Sequence, residues 1–409
     1  MGDVKVPRMT TVKLTIVDGD LEVERDSQVE PEGASPIQVS GSVRCYGHAA
    51  FGGSLQCADF QSDEGRIIVR GDLKSAGDVE VRNGELMVEG SLDARSVDVD
   101  KRLSVSKDAK AEDFDVGGML GVSGSITARS VDVGGSFKVG GTAIVDNIDV
   151  GGSVDIQGEL KGAKVDVGGA VSLAGGEVSD QVDVGGSFTS SKPLKFNRID
   201  VGGSVILTEG GQGGRVDVGG RFESRGSLTF ETIEVGGTVE IGGDGDGVAI
   251  DVGGTFQTSG NLTLKEDLRV GGRARIGKAL RLNSLDVGGE IEADLVEAQD
   301  EVEVGGRLRS NRGTKANRIE LGARSRASGP LIAKKVRIRE GGEVEDIYAG
   351  ELQLERRVRA RNLYVREARL ESQCRIAGEV LYQDRLEAEP DVEYAKPPVK
   401  TIELPKPPL

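Results

Sequence analysis

Apolar and polar positions in this chain recur on two nested periods. Locally they alternate one by one, the pattern of a half-buried β-strand. At longer range the alternation restarts at a fixed interval of seventeen positions. Aligned on VDVGGSFKVGGTAIVDN from Val131, further units begin at Ile148, Val165, Val182, Ile199, Val216, Ile233, Ile250, Leu268, Leu285, Val302, Ile319 and Val336, and in the other direction at Phe114 and Val97. The interval is constant except between Ile250 and Leu268, where it is longer by one. Self-similarity of this kind marks a repeat architecture in which each unit buries its apolar face against its neighbours.

Within a unit the first and third positions are apolar in all fifteen copies, and the second is Asp, Glu or occasionally Arg. A second apolar pair follows near the seventh and ninth positions, as in Phe137 and Val139 or Val154 and Ile156. A third lies near the thirteenth and fifteenth, as in Leu194 and Phe196, Leu228 and Phe230, or Leu262 and Leu264. Three short strands in each unit predict one turn of a triangular β-helix. The fold class is therefore all-β, a single long β-solenoid of about 17 residues per coil. The Gly-Gly after the first strand suits a corner, because glycine accepts positive φ and lets backbones approach closely. Stacked at the ordinary strand spacing of about 4.8 Å, Phe137, Val154, Val171 and Phe188 would form one interior column. The phenylalanines are thus expected in the core.

Composition narrows the picture. Sixty-two glycines, nine phenylalanines, five tyrosines and no tryptophan leave few large side chains for conventional globular cores, while 37% apolar content is too high for a disordered chain. A net charge of −16 disfavours nucleic acid as a partner. The start MGDVKVPRMTTVKLTIVDGD lacks the apolar stretch of a secretory signal, and no run approaches a membrane span, so a cytoplasmic protein is expected.

Candidate chemistry is sparse. Cys45, His48 and Cys57 are three ligand-type residues near each other in sequence, but closed zinc sites take four, so no metal is assigned. Acyltransferases built on 18-residue coils use a histidine base, and the lone His48 lies outside the regular repeats. GGQGGR, residues 210–215, lacks the Lys-Ser/Thr of a phosphate loop. No catalytic residue and no cofactor are assigned. The second-position acids Asp98, Asp115, Asp132, Asp149, Asp166, Asp183, Asp200, Asp217, Glu234 and Asp251 would stack as an outer ladder. Its plain role is a solvated face that opposes lateral aggregation. Its functional alternative is cation binding.

The least periodic charge lies late in the chain. Between Gly305 and Arg375 there are 18 Lys and Arg against 9 Asp and Glu, a local balance of +9 that leaves −25 for the remainder. Arg356, Arg357, Arg359, Arg361, Arg366 and Arg369 are its densest part: their plain role is a solvated face with cross-coil salt bridges of small worth, and their functional alternative is a contact cluster for an acidic partner or an anionic membrane surface. The repeat decays after Val336. Leu363, Tyr364, Val365, Ile376, Leu381 and Tyr382 are candidates for either terminal-coil core or an end-contact surface. Residues 1–40 lack the phase, and VKLTIVDGDLEVERD (residues 12–26) predicts a β-hairpin around Asp18-Gly19 that caps the solenoid. The expected organisation is an N-terminal β segment at 1–40, a β-helix at 41–377 and a Pro-rich tail at 378–409.

Runs such as LMVEGSLDARSVDV (residues 86–99), LGVSGSITARSVDV (residues 120–133) and IIVRGDL (residues 67–73), with the tail YAKPPVKTIELPKPPL, resemble the bactofilins, polymer-forming cytoskeletal proteins. The resemblance covers roughly Ser40 to Ala377. It implies a right-handed β-helix that assembles end to end without nucleotide, often at a membrane. Its partners would be copies of itself, other bactofilin-like proteins or a membrane surface. The alternative is a monomeric scaffold that binds a cation, a protein partner or an anionic membrane.

Overall fold

The computed structural model describes residues 2–409. These contain strands and turns and no helix, and each strand pairs in parallel with its counterpart one coil away, which makes the chain a β-solenoid. It divides into two compact units, Met1–Gly203 and Ser204–Leu409.

The first unit is three-sided. One face runs from Val4–Val6 through Leu21–Val23, Val43–Cys45, Phe60–Ser62 and Asp78–Val81 to Ser96–Val99 and beyond. A second stacks Thr11–Lys13, Ser27–Glu30, Ala49–Phe51, Gly65–Val69 and Gly84–Val88. A third stacks Ile16–Val17, Ile37–Val39, Leu55–Cys57 and Leu73–Ser75. The expected hairpin at residues 12–26 does not form. Val12 pairs in parallel with Val29, and Leu21 with Val4, so the first forty residues are coils of the solenoid. Their phase is hidden because the interval along the first face is uneven. It is seventeen from Val4 to Leu21, twenty-two to Val43, seventeen to Phe60, nineteen to Val79 and eighteen to Val97. The longest of these coils carries an extra loop around Gly33.

Alternation sends every second side chain inward. Phe137, Val154, Val171 and Phe188 pair in register and are 0–2% exposed, as the column requires. Each such side chain contributes about 1.5–3 kcal/mol on burial. Phe51 and Phe60 meet edge to face at 6.1 Å.

The Gly-Gly corner works by only one of its two expected mechanisms. The corner glycines do not lie at positive φ. A Cβ on Gly134 would stand 2.2 Å from the carbonyl oxygen of Gly117, and one on Gly135 would stand 2.4 Å from that of Gly118. Glycine is therefore demanded by the close approach of the preceding coil, not by backbone conformation.

The second unit is built the same way on its first face, from Arg215 to Val218 through Thr232–Val235, Ala249–Val252, Asp267–Val270, Ser284–Val287 and Glu301–Val304 to the end of Arg307–Leu321. The apparent decay after Val336 is a change of step. Ile319, Val336, Leu352, Ala368 and Leu386 pair in series, at intervals of seventeen, sixteen, sixteen and eighteen positions. Strand pairing also continues past residue 377. Val380–Ala388 pairs with Arg359–Leu370, and Val399–Lys400 pairs with Leu381 and Tyr382, so the tail expected from 378 begins after Lys400. The corner changes as well. Arg324, Gly341, Arg357 and Gln373, at the same place in four successive coils, have φ of 55°, 73°, 62° and 61°.

Candidate interaction surface

On the third face of the second unit the outward position stacks Gln212, Thr229, Asp246, Thr263, Arg281, Glu297 and Lys315. Each is polar, as a solvated face requires. The next five in the same column are Ile332, Tyr348, Tyr364, Leu381 and Val399. The Tyr348 and Tyr364 rings stack at 4.8 Å with planes 32° apart. Ile332, Tyr348, Tyr364 and Leu381 are half-buried, and Val399 is 52% exposed. Five apolar side chains in register form a continuous outward stripe about 20 Å long, a feature that marks interaction sites when it breaks an otherwise polar surface.

A polar rim borders the stripe. Arg361 donates to both carboxylate oxygens of Asp346, Nε to Oδ1 at 2.8 Å and Nη2 to Oδ2 at 2.6 Å. Asn362 Nδ2 donates to the same Oδ1 at 2.8 Å, and Asn362 Oδ1 accepts from the Glu379 backbone N–H at 2.9 Å. The Arg361 guanidinium holds the Asp346 carboxyl below the usual carboxylate range. Burial pushes the phenol of Tyr348 up, helped by the neighbouring Asp346, and burial does the same to Tyr364.

The basic cluster read from sequence does not converge on one patch. One coil here consumes only slightly more chain than the cluster spans, so side chains between 356 and 369 are distributed around the circumference. Arg356 and Arg357 lie on the corner, Arg359 on the second face, Arg361 beside the third, Arg366 on the next corner and Arg369 on the first face. Most are matched by an acid one coil away. Arg357 meets Glu340 at 3.1 Å, Arg359 meets Glu343 at 3.1 Å and Arg366 meets Asp384 at 3.1 Å. Glu343 is also held by Arg326 at 3.0 Å, and Glu290 is clasped between Arg273 and Arg307. Exposed pairs of this kind contribute about 0–1 kcal/mol each, but they neutralise the positive field that a docking patch needs. Arg369 lines an open trough on the first face with Arg337, Glu320, Glu351 and Glu387.

The six candidate end-contact residues divide by facing. Leu363, Val365 and Ile376 are 0%, 0% and 2% exposed and belong to the core. Tyr364 and Leu381 face outward and are half-buried, while Tyr382 continues the inward column of Ala349 and Val365 and is half-buried at its end. Three residues not singled out from sequence matter more. Tyr348 and Ile332 complete the stripe. Leu386 continues the core column of Leu352 and Ala368, which are 4% and 5% exposed, yet is itself half-exposed. Letting the repeat interval vary by one position brings all three into phase.

The acidic ladder forms in the first unit, with Asp98, Asp115, Asp132, Asp149, Asp166, Asp183 and Asp200 directly opposed. Burial, then the neighbouring Asp166 and Asp200, hold the Asp183 carboxyl above its ordinary range, and burial with Asp115 does the same for Asp98. Lys164 and Arg198 reach Asp166 and Asp200 at 3.5 and 3.2 Å. Among the described residues no group of three or more His, Cys, Asp or Glu is arranged to hold a metal ion. Cys45 and Cys57 are buried inside the first unit, where burial pushes the Cys57 thiol up to about 12 and Cys45 further in the same direction. His48 is exposed, and its Nδ1 accepts from the Arg66 backbone N–H at 2.8 Å. Comparison with family models, with curated proteins and with solved structures returned no match.

Proposed function

We propose that this chain is a structural scaffold protein of the bactofilin type, whose solenoid assembles end to end into filaments without a nucleotide. One observation carries the reading. The strand Val380–Ala388 is paired along one side with Arg359–Leu370, while on its other side only Leu381 and Tyr382 have a partner. Between Ala388 and Leu409 the chain adds no other strand along that edge. It leaves backbone donors and acceptors from Gln383 to Ala388 next to the half-exposed Leu386 and Tyr394, which extend core columns. An uncovered edge of this kind is a template for another strand. A second copy's coil stacked there would bury Leu386 as Ala368 is buried one coil earlier.

Negative-stain imaging and sedimentation velocity over a concentration series test the proposal. Filaments that lengthen with concentration are expected, and Leu386→Asp should leave short particles of normal strand content. A single sedimenting species at every concentration and ionic strength would sink it. The apolar stripe favours a second reading, a monomeric scaffold that binds a partner along its side. In that case the sedimentation coefficient stays constant and Leu386→Asp changes nothing.

A further inference from the structure

Leu409 lies beside Gly313, on the coil whose third face carries Lys315. After Val399–Lys400 pairs with Leu381 and Tyr382, the Thr401 N–H donates to the Tyr382 carbonyl at 2.9 Å and Gln383 Nε2 donates to the Ile402 carbonyl at 2.8 Å. The backbone bends at Ile402 and Glu403 and continues through LPKPPL with no strand pairing. Leu409 then reaches Gly313 and Pro330. Its Cδ1 lies 3.1 Å from the point a Cβ on Gly313 would occupy, and Pro330 Cγ lies 2.8 Å from the same point.

Gly313 is on the coil of Lys315, five coil steps from Val399 along the column. Five steps of about 4.8 Å are about 24 Å. Eight residue steps from Thr401 to Leu409 at the polyproline II rise of about 3.1 Å are about 25 Å. The last nine residues are therefore nearly fully extended, run back against the stacking direction, and cross the levels of Leu381, Tyr364, Tyr348 and Ile332. Leu404 is half-buried and Leu409 is 37% exposed, while Ile402 is 97% exposed and residues 405–408 are exposed, so the two leucines are the side chains turned toward the solenoid. Stacked aromatic rings beside a rigid, proline-rich strand form a known recognition chemistry, because such a strand loses little entropy on docking.

We propose that the outward stripe Ile332, Tyr348, Tyr364 and Leu381 is a binding face for an extended proline-rich segment, and that residues 401–409 of the same chain are the ligand that occupies it. The ligand class follows from the chemistry of that segment, with leucines at 404 and 409 around prolines 405, 407 and 408. The inference is independent of filament formation.

The test uses the full chain. Lys396 and Lys406 each precede proline, which blocks trypsin, so Lys400–Thr401 is the tryptic bond that releases the nonapeptide. Its release is followed by mass spectrometry. Docking protects the bond, and losing about 1 kcal/mol of docking opens it about fivefold more often. Release about fivefold faster is expected for Y348S/Y364S and for Leu409→Asp, which leaves the solenoid untouched. Ile144→Ser, an exposed apolar side chain on the same face of the first unit, should release at the wild-type rate. After release, Tyr348 and Tyr364 should react severalfold faster with tetranitromethane, and Tyr46 should not. Wild-type rates in both variants, or unchanged tyrosine reactivity after release, would overturn the proposal. A release rate that falls as protein concentration rises would place a second copy's segment on the stripe and overturn the assignment to the same chain.

Discussion

The coils between Val131 and Val201 in the first unit and those between Ile319 and Ala388 in the second bury the same kind of core with different outer machinery. In the first set the corner is Gly-Gly, with carbonyl oxygens 2.2–2.5 Å from where a Cβ would sit at Gly134, Gly135, Gly151 and Gly152. In the second the corner is one residue in the left-handed region, Arg324, Gly341, Arg357 or Gln373. The first set stacks acids of one sign outward. The second interleaves them with arginines, as in Arg326–Glu343–Arg359. The interior is held to one kind of solution, since every inward side chain short of the terminal coil has a neighbour about 4.8 Å above and below. The exterior is free to differ, and recognition surfaces arise there.

The corners provide the largest test of that contrast. Gly134→Ala drives a methyl into the Gly117 carbonyl, which backbone atoms cannot evade as a flexible side chain would. Overpacking of this order costs about 1–3 kcal/mol. Hydrogen exchange across residues 114–150, measured against wild type, should show protection lost in those coils. Protection unchanged would mean the corner has slack that the geometry denies.

How much of this is legible in the chain follows from its period. Wherever the interval is seventeen, alternation plus period locate the inward columns, and Phe137 through Phe188 are buried as expected. Where the interval changes, a fixed period loses the phase, and a shift of one residue exchanges inward for outward positions. That is why the alternation around Thr11–Lys13 mimics a hairpin and why the column of Tyr348 above Tyr364 is hidden in the sequence. The basic cluster misleads for a related reason. Neighbours in sequence diverge around a coil, while true neighbours lie 15 to 19 residues apart, as Arg361 and Asp346 or Arg339 and Glu320 do. The reversed course of residues 401–409 has no signal in the repeat at all, because those residues do not pair as strands.

Acidification should move the two regions in opposite directions by a smaller amount. The folded-state carboxyl of Asp183 titrates above its unfolded value, so at neutral pH its charge opposes folding, and that penalty disappears as pH falls through the folded pKa. Asp346 is the reverse case. Its folded pKa is depressed by Arg361, so the stability it contributes is complete above the unfolded value of about 3.9 and is lost as pH falls through the folded one. Asp183→Asn should stabilise its coils by about 0.2–1 kcal/mol at pH 7, the worth of relieving like charges directly opposed. Asp346→Asn should destabilise its own. Hydrogen exchange corrected for intrinsic rates, followed from pH 7 to about 2 in peptides spanning 182–201 and 346–363, reads both. Parallel trends in the two wild-type segments would contradict the assignment.

The smallest expected effect is the most discriminating for the corners. At Arg357 the left-handed backbone costs a side-chain residue about 1–2 kcal/mol, which glycine would recover. Glycine also loses about 0.5–1 kcal/mol of backbone entropy on folding, and the change removes the exposed pair with Glu340, worth at most about 1 kcal/mol. These terms nearly cancel, so Arg357→Gly should shift local stability by no more than about 0.5 kcal/mol. Arg357→Val should destabilise the same coil, because a β-branched side chain is poorly accommodated at positive φ. The two substitutions at one site separate conformation from contact. If glycine and valine behave alike there, the corner of the last coils is governed by packing, as at Gly134, and the two regions share one mechanism after all.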